Sequence, residues 1–198
     1  AMATANKAVR ALKAEGYLRT RRGVGNVVTD ESERGWSPGT SVERARRTGQ
    51  VYPNDHWARI LSASLVEASE QVAGALGVEV RAAVVRRERV RYRGEVPMAL
   101  STSWFDGALA SDAPKLLEAE RVEQGTFGYL ADRLGRQVAS WQDQYEPGQL
   151  SHAQAEQLDA APGMPVVLGR NWVYDDRGDV LEYGESVTMG RVTYRGVL

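Results

Sequence analysis

Two pairs of alternating apolar and polar runs, each joined by a short turn, constrain the fold of this chain most strongly. The runs Val84 to Tyr92 and Val96 to Phe105 flank Arg93-Gly94-Glu95, and the runs Val166 to Tyr174 and Val180 to Thr188 flank residues 175–179. Alternation with period two predicts strands, and short turns rich in Gly and Asp predict hairpins. Because strands joined as hairpins are antiparallel, we expect an antiparallel sheet.

Further elements surround the two hairpins. The sequence predicts strands over residues 56–67 and 137–145, and helices over 70–76, 114–119, 126–134 and 151–160. Helices packed on an antiparallel sheet define the α+β class. At 198 residues, the chain has room for one ordinary domain and a smaller appendage.

The appendage is predicted at the N-terminus. Residues 4–15 have the apolar spacing of a helix, and extended pieces at 17–20 and 26–29 flank a basic, glycine-bearing tip at 21–25. A helix followed by such a hairpin is the second half of a winged helix-turn-helix, whose helix enters the DNA major groove. We expect this unit over residues 1–30, a linker over 31–50 and the larger domain over 51–198. The candidate DNA contacts are Thr4, Asn6, Lys7, Arg22 and Gly23; the alternative is an ordinary solvated surface.

Charge is unevenly distributed along the chain. Residues 1–30 hold six Lys or Arg and two Asp or Glu, which gives them +4 in a chain whose formal net charge is -1. A basic segment on an acidic body favours a polyanionic partner, although chance clustering of surface charge is an alternative. There is no cysteine, and no apolar run approaches the ~20 residues that span a bilayer. We therefore expect a cytoplasmic protein without signal peptide, membrane partner, metal or cofactor.

The strand-like run from Val85 to Arg93 carries a row of arginines. Alternation places Arg87, Arg89 and Arg91, with Arg93, on one face of the strand, about 7 Å apart. Such closely spaced like charges require compensating anions. Carboxylates on neighbouring strands, for which Glu182 and Glu185 are available, would form a salt-bridge ladder. An anionic ligand held by the guanidinium groups is the other interpretation.

Both parts of the chain resemble a known family. Residues 4–28 resemble the recognition helix and wing of the GntR superfamily of bacterial repressors. The matching positions are Thr4, Ala8, Leu12, Glu15, Gly16, Leu18, Gly23, Gly25 and Val28. The rest resembles the UTRA effector domain of the HutC-type subfamily, which has the chorismate lyase-like fold. Its motifs are met at Arg89-Val90-Arg91, Gly94, Pro97 and Trp104-Phe105, and at Asp175, Gly178, Glu182, Tyr183 and Ser186.

The resemblance implies a ligand-responsive repressor that binds operator DNA as a homodimer. It assigns Arg89 and Arg91 to an anionic group of a small effector, and Glu182 to the effector's polar substituents. Thr188 is expected to line the same pocket, and Arg87 on the arginine face is a further candidate. Ser101 stands where some sugar-phosphate-binding relatives have glutamate, which disfavours an amino-sugar phosphate. The family's first winged-helix elements would precede Thr4, so we expect a truncated winged helix.

Two other functions fit the same predicted fold. A lyase-type enzyme would hold an aromatic or enolic acid against Arg89 and Arg91, but the sequence offers no convincing acid–base pair. A dimerisation module without a ligand would use the strand aromatics as core or interface. We expect a regulator rather than an enzyme, and no catalytic residue is assigned.

Overall fold

Both predicted hairpins are formed in the computed structural model, and they supply four of the six strands of one antiparallel sheet. The structure describes residues 5, 6, 8, 9, 18–21, 23–28, 52, 56–122, 124–190 and 192. The chain divides into two compact units, residues 1–37 with 192–198 and residues 38–191. Within the described residues, no helix combines the length and the apolar character needed to cross a membrane.

In the smaller unit, a two-stranded antiparallel hairpin follows a helical piece. The helical piece includes residues 5, 6, 8 and 9. Strands β1 (Leu18–Arg21) and β2 (Gly25–Val28) pair with Arg21 opposite Gly25. Gly23 lies in the connecting turn with φ +79°, a left-handed conformation that glycine adopts without strain. The predicted helix-then-hairpin order is therefore confirmed for the described part of this unit.

In the larger unit, strands and short helices alternate as the sequence predicts. The strands are β3 (His56–Glu67), β4 (Ala83–Arg93), β5 (Val96–Asp106), β6 (Val138–Gln149), β7 (Pro165–Asp175) and β8 (Val180–Met189). The helices are α1 (Glu70–Leu76), α2 (Leu109–Asp112), a 3₁₀ helix (Pro114–Leu117), α3 (Gly125–Leu134) and α4 (His152–Leu158). The strands lie in the order β3-β4-β5-β8-β7-β6, and every neighbouring pair is antiparallel. The predicted α+β class is confirmed.

Local sequence signals set the ends of α1 and α4. Ser69 caps α1 by accepting the N–H of Val72 at 3.3 Å, and Gly77 ends the helix in the left-handed conformation. Ser151 and Gln154 form a reciprocal capping box at the start of α4. Two short helices are thereby fixed at defined positions on the sheet.

Helices cover both faces of the sheet, but only in part. On the face that carries the odd-numbered β4 residues, α2, the 3₁₀ helix and α3 bury a cluster around Val85, Phe105 and Leu116. On the other face, α1 covers a cluster with Val84 and Tyr183, and α4 covers a cluster with Val90 and Leu158. We call these the arginine face and the opposite face. Each face therefore has a stretch of sheet, between or beside its helices, that no helix covers.

Candidate functional site

The arginine face brings the predicted effector residues together. Alternation along β4 places Arg87, Arg89 and Arg91 on this face as the sequence predicts, next to the odd-numbered residues of β5. Arg87 and Arg91 are each only 3% exposed, and Arg93, at the end of the strand, is exposed. The arginine row therefore begins inside the protein and ends at its surface.

A chain of two hydrogen bonds joins Arg89 to a buried carboxylate. The Arg89 guanidinium donates to Ser103 Oγ at 2.9 Å, and Ser103 Oγ donates to Glu182 Oε1 at 2.8 Å. Burial raises the pKa of Glu182, while the charges of Arg89 and Arg87 and the bond from Ser103 act in the opposite direction. Glu182 is thus linked to the arginine row through Ser103.

Arg91 is as fully buried on this face as Arg87. Burial is the main cause that lowers the pKa of Arg91, to about 9, and Arg89 adds to the shift by charge repulsion. Tyr52 and Tyr145 act in the opposite direction on the same guanidinium. A guanidinium under this penalty gains from an anion placed beside it, because the anion favours the charged form.

Ser101 and Thr188 lie across the sheet from the two arginines. Ser101 is opposite Arg89, and Ala99, opposite Arg91, pairs in turn with Thr188 of β8. Directly opposed residues of antiparallel strands share a face and have Cβ atoms about 5 Å apart. The structure therefore gathers Arg89, Arg91, Ser101, Thr188 and Glu182 on one face.

Arg87 has a set of partners that the sequence did not predict. Its guanidinium donates to the carbonyl oxygens of Lys115 at 2.9 Å, Leu116 at 2.6 Å, Glu118 at 2.8 Å and Glu120 at 2.9 Å. Burial is the main cause that lowers the pKa of Arg87. These bonds fix the backbone around the 3₁₀ helix to β4. The predicted contact of Arg87 with an effector stays a prediction.

Sequence reasoning did not assign Ser103, Asn171 or Ser186 to the site, although Ser186 stands in the family motif. Asn171 and Ser186 are both buried, each 8% exposed, and both share the arginine face by register. A Cβ on Gly184 would collide with the amide oxygen of Asn171, and one on Gly169 would meet Ser186 Oγ at 2.6 Å. Glycine inside a strand often marks such a close approach, so these two glycines were the available signal.

Glu185 is a correction to the sequence interpretation. The sequence offers it, with Glu182, as a counter-charge for the arginines, but it lies three positions further along β8 and points to the opposite face. There Glu185 accepts hydrogen bonds from Gln71, Trp104 and Tyr183. Only Glu182 of the two serves the arginine face.

The predicted DNA contacts are only partly within the described residues. Asn6 is helical and exposed, and Gly23 is exposed at the hairpin turn. Thr4, Lys7 and Arg22 lie outside the described residues, and so does the predicted linker over residues 31–50. In the part of the chain that the structure describes, no group of three or more His, Asp or Glu side chains is placed to hold a metal ion.

The fold and this face define the class of protein. The chain is similar to the effector domain of PhnF from Mycobacterium smegmatis, with a TM-score of 0.65 and 26% identity. The match covers 83% of this chain and 98% of that domain. The chain also matches the whole PhnF structure with a TM-score of 0.65 and 25% identity, over 100% and 85% of the two chains. The protein thus has the effector-domain fold of GntR-family regulators.

The family model of the UTRA domain matches residues 54–191, and the chain belongs to this family. The HTH-type transcriptional repressor NagR of Bacillus subtilis is 23% identical over 188 residues, which are 94% of this chain and 74% of NagR. The HTH-type transcriptional regulator Rv0792c of Mycobacterium tuberculosis is 27% identical over 180 residues. That match spans 90% of this chain and 65% of Rv0792c, less than two thirds of its length. The predicted GntR-superfamily, UTRA-containing regulator is confirmed.

Proposed function

We propose that this chain is a bacterial transcriptional repressor that binds operator DNA as a homodimer and responds to a small anionic effector. The observation that carries the proposal is the link from Arg89 through Ser103 to the buried Glu182, beside the buried Arg91. Guanidinium groups bind carboxylate or phosphate, and a buried carboxylate accepts hydroxyl or amine donors. The effector is therefore an anion that also carries hydrogen-bond donors.

Each residue has a distinct part in the proposed site. Arg91 and Arg89 hold the anionic group, Glu182 accepts from the donors, and Ser101 and Thr188 border the ligand. Arg87 holds the backbone of residues 115–120 in place and so acts as a positioning residue. Bound anion raises the pKa of Arg91 again, so affinity falls as pH rises above about 9.

Effector binding is tested by thermal shift and calorimetry over a panel of carboxylates and sugar phosphates. We expect at least one of these anions to stabilise the protein, and we expect Arg91→Ala to abolish the stabilisation. Arg93→Ala is the matched control, since Arg93 shares the strand and the face but is exposed. Equal effector affinity of Arg91→Ala and the wild type would refute the assigned site.

Operator binding is tested separately by gel shift with DNA from the protein's own promoter region. We propose that residues 1–30 contribute the recognition helix and wing, joined by residues 31–50 to the effector domain over 51–198. Phosphate contacts by the basic segment make the affinity fall steeply with salt, and a dimer requires two half-sites. If the protein binds DNA from its own promoter region no better than unrelated DNA, this assignment is refuted.

The relatives favour this function over the lyase-type enzyme. NagR and Rv0792c are both named transcriptional regulators. We propose that the chain acts in the bacterial cytoplasm, where its DNA partner lies, and that its site binds an effector without turnover. Incubation with candidate aromatic and enolic acids tests this, and formation of a product would overturn it.

A further inference from the structure

A continuous row of polar residues crosses the opposite face of the sheet. The registers place six residues side by side, one from each strand: Ser62, Glu88, Thr102, Glu185, Arg170 and Gln144. We call this set the polar row. It separates the apolar cluster under α1 from the apolar cluster under α4. Gln71 of α1 reaches the row at Glu185, and Gln154 and Gln157 of α4 line the cavity beside it, so the row forms the floor of a cleft.

The cleft contains a cavity of about 480 Å³. This volume lies in the range of sites for small molecules. Four residues of the polar row contribute to its lining: Glu88, Thr102, Glu185 and Arg170. The α4 side contributes Leu100, Leu168 and Val187 from the apolar cluster, together with Gln154 and Gln157 of the helix. One side of the cavity is therefore polar and the other apolar.

Glu185 is held rigidly at the polar side by neutral donors. Its Oε1 accepts from Gln71 Nε2 at 2.7 Å and from the Tyr183 hydroxyl at 3.2 Å, and its Oε2 accepts from Trp104 Nε1 at 3.0 Å. Burial raises the pKa of Tyr183, and the nearby charge of Glu185 adds to the effect. Among the described residues, Glu185 forms no ion pair.

Two other charged residues that line the cavity, Glu88 and Arg170, have ion-pair partners. Glu88 forms an ion pair with Arg86 and accepts from Ser62 Oγ at 2.9 Å, and Arg170 forms an ion pair with Glu146 at 3.0 Å. Arg170 lies directly opposite Glu185 but is paired with Glu146, so a cationic group placed against Glu185 would add to its three neutral donors without breaking an ion pair of Glu185. A carboxylate held in a fixed geometry beside an apolar wall favours a ligand with a cation at one end and an apolar body.

We propose that this cavity binds a small amphipathic amine. Its ammonium group donates to Glu185 and to the hydroxyl of Thr102, and its apolar body packs against Leu100, Leu168 and Val187. These contacts lie on the face of the sheet opposite to Arg91 and Glu182, although Arg89 and Ser101 also contribute to the lining of this cavity. It gives the protein a second ligand of opposite charge to the first.

The test compares tyramine, agmatine and cadaverine with 3-(4-hydroxyphenyl)propionate, an acid that matches tyramine in its apolar body. Binding to the 198-residue chain is followed by calorimetry and by amide chemical shifts of β5, β7 and α4. We expect at least one amine to bind with a Kd below about 10 mM, and the acid not to bind. We expect Glu185→Gln to weaken the amine about tenfold or more, since a hydrogen bond to a charged group is lost.

Control variants distinguish loss of the amine site from loss of the fold and from effects on the effector site. Glu79→Gln, at an exposed position before β4, should bind the amine normally. Thr102→Val provides a second variant if Glu185→Gln does not fold, and it should weaken the amine as well. No amine binding below about 10 mM, equal binding by the acid, or unchanged binding by both variants would each overturn the proposal. A dimer that covers the cleft would give the first of these results. Binding of the anionic effector should be unchanged in Glu185→Gln whichever result is obtained.

Discussion

Replacement of Arg87 by methionine distinguishes a structural role for this arginine from a role in effector contact. The change keeps most of the aliphatic stem and removes the guanidinium that bonds the carbonyls of residues 115, 116, 118 and 120. If Arg87 holds this backbone segment, the loss should appear in the free energy of unfolding without any ligand. If Arg87 mainly contacts the effector, the loss should appear only in effector affinity.

The expected size of the effect follows from the four bonds. A hydrogen bond to a charged group contributes roughly 1.5–3 kcal/mol net, but simple addition overstates the total because three acceptors share one terminal nitrogen. Leu116 is fully buried, so its carbonyl cannot recover the lost bond from water easily. Removal of the desolvated charge offsets part of the loss. We expect Arg87→Met to lower the free energy of unfolding by about 3 kcal/mol.

Urea denaturation at pH 7 measures this difference, and Arg86→Met is the matched control. Arg86 is the preceding residue of β4, points to the opposite face and is about one third exposed in its ion pair with Glu88. An exposed pair of this kind contributes about 1 kcal/mol or less. Equal destabilisation by the two variants, within about 0.5 kcal/mol, would refute the structural role of Arg87.

Two further predictions concern pH. Burial raises the pKa of Glu182, so this carboxyl stabilises the fold fully below about pH 4, and its contribution is lost as pH rises through the folded pKa. Glu182→Gln should therefore raise the melting temperature at pH 8, and the increase should be smallest near pH 4. The same variant should bind the effector more weakly. Burial alone would raise the pKa of Asp175, but the bond from Arg136 at 2.6 Å and two backbone N–H donors hold it below its ordinary value. That contribution is present above about pH 4 and lost as pH falls through the folded value. Arg136→Ala should therefore lower the free energy of unfolding, measured in urea at pH 7, by about 2 kcal/mol and move acid unfolding to higher pH. Arg177→Ala, which removes only an exposed side chain, should do neither.

Most of the sheet could be predicted from the sequence because its signals are local. Period-two alternation and turn residues define β4, β5, β7 and β8, and the same alternation placed the arginines on one face. The end of β6 could not be read in this way: the predicted strand ends at Tyr145, whereas β6 continues through Pro147 to Gln149. β6 is an edge strand, where proline is tolerated because one side of the backbone needs no partner. The short helix α2 was missed for lack of an apolar period.

The candidate site was only half predictable, because its other half depends on register between distant strands. Arg89 and Arg91 stand in a recognisable pattern, but nothing near Ser103 in sequence indicates that it joins Arg89 to Glu182. That link needs β4, β5 and β8 to be paired in the observed order. The same registers assemble the polar row from six single residues that are unremarkable in their own segments.

The polar residues buried on the arginine face are poorly explained by stability alone. Burial lowers the pKa of Arg91 and raises that of Glu182, so folding works against the charged form of both groups. Apolar residues of similar size at these positions would avoid that cost. An anion with donor groups relieves both penalties at once, because it favours charged Arg91 and supplies donors to Glu182. Effector binding should therefore stabilise the protein most at a pH where both groups are ionised, and Glu182→Gln should lose this gain while its unliganded form becomes more stable.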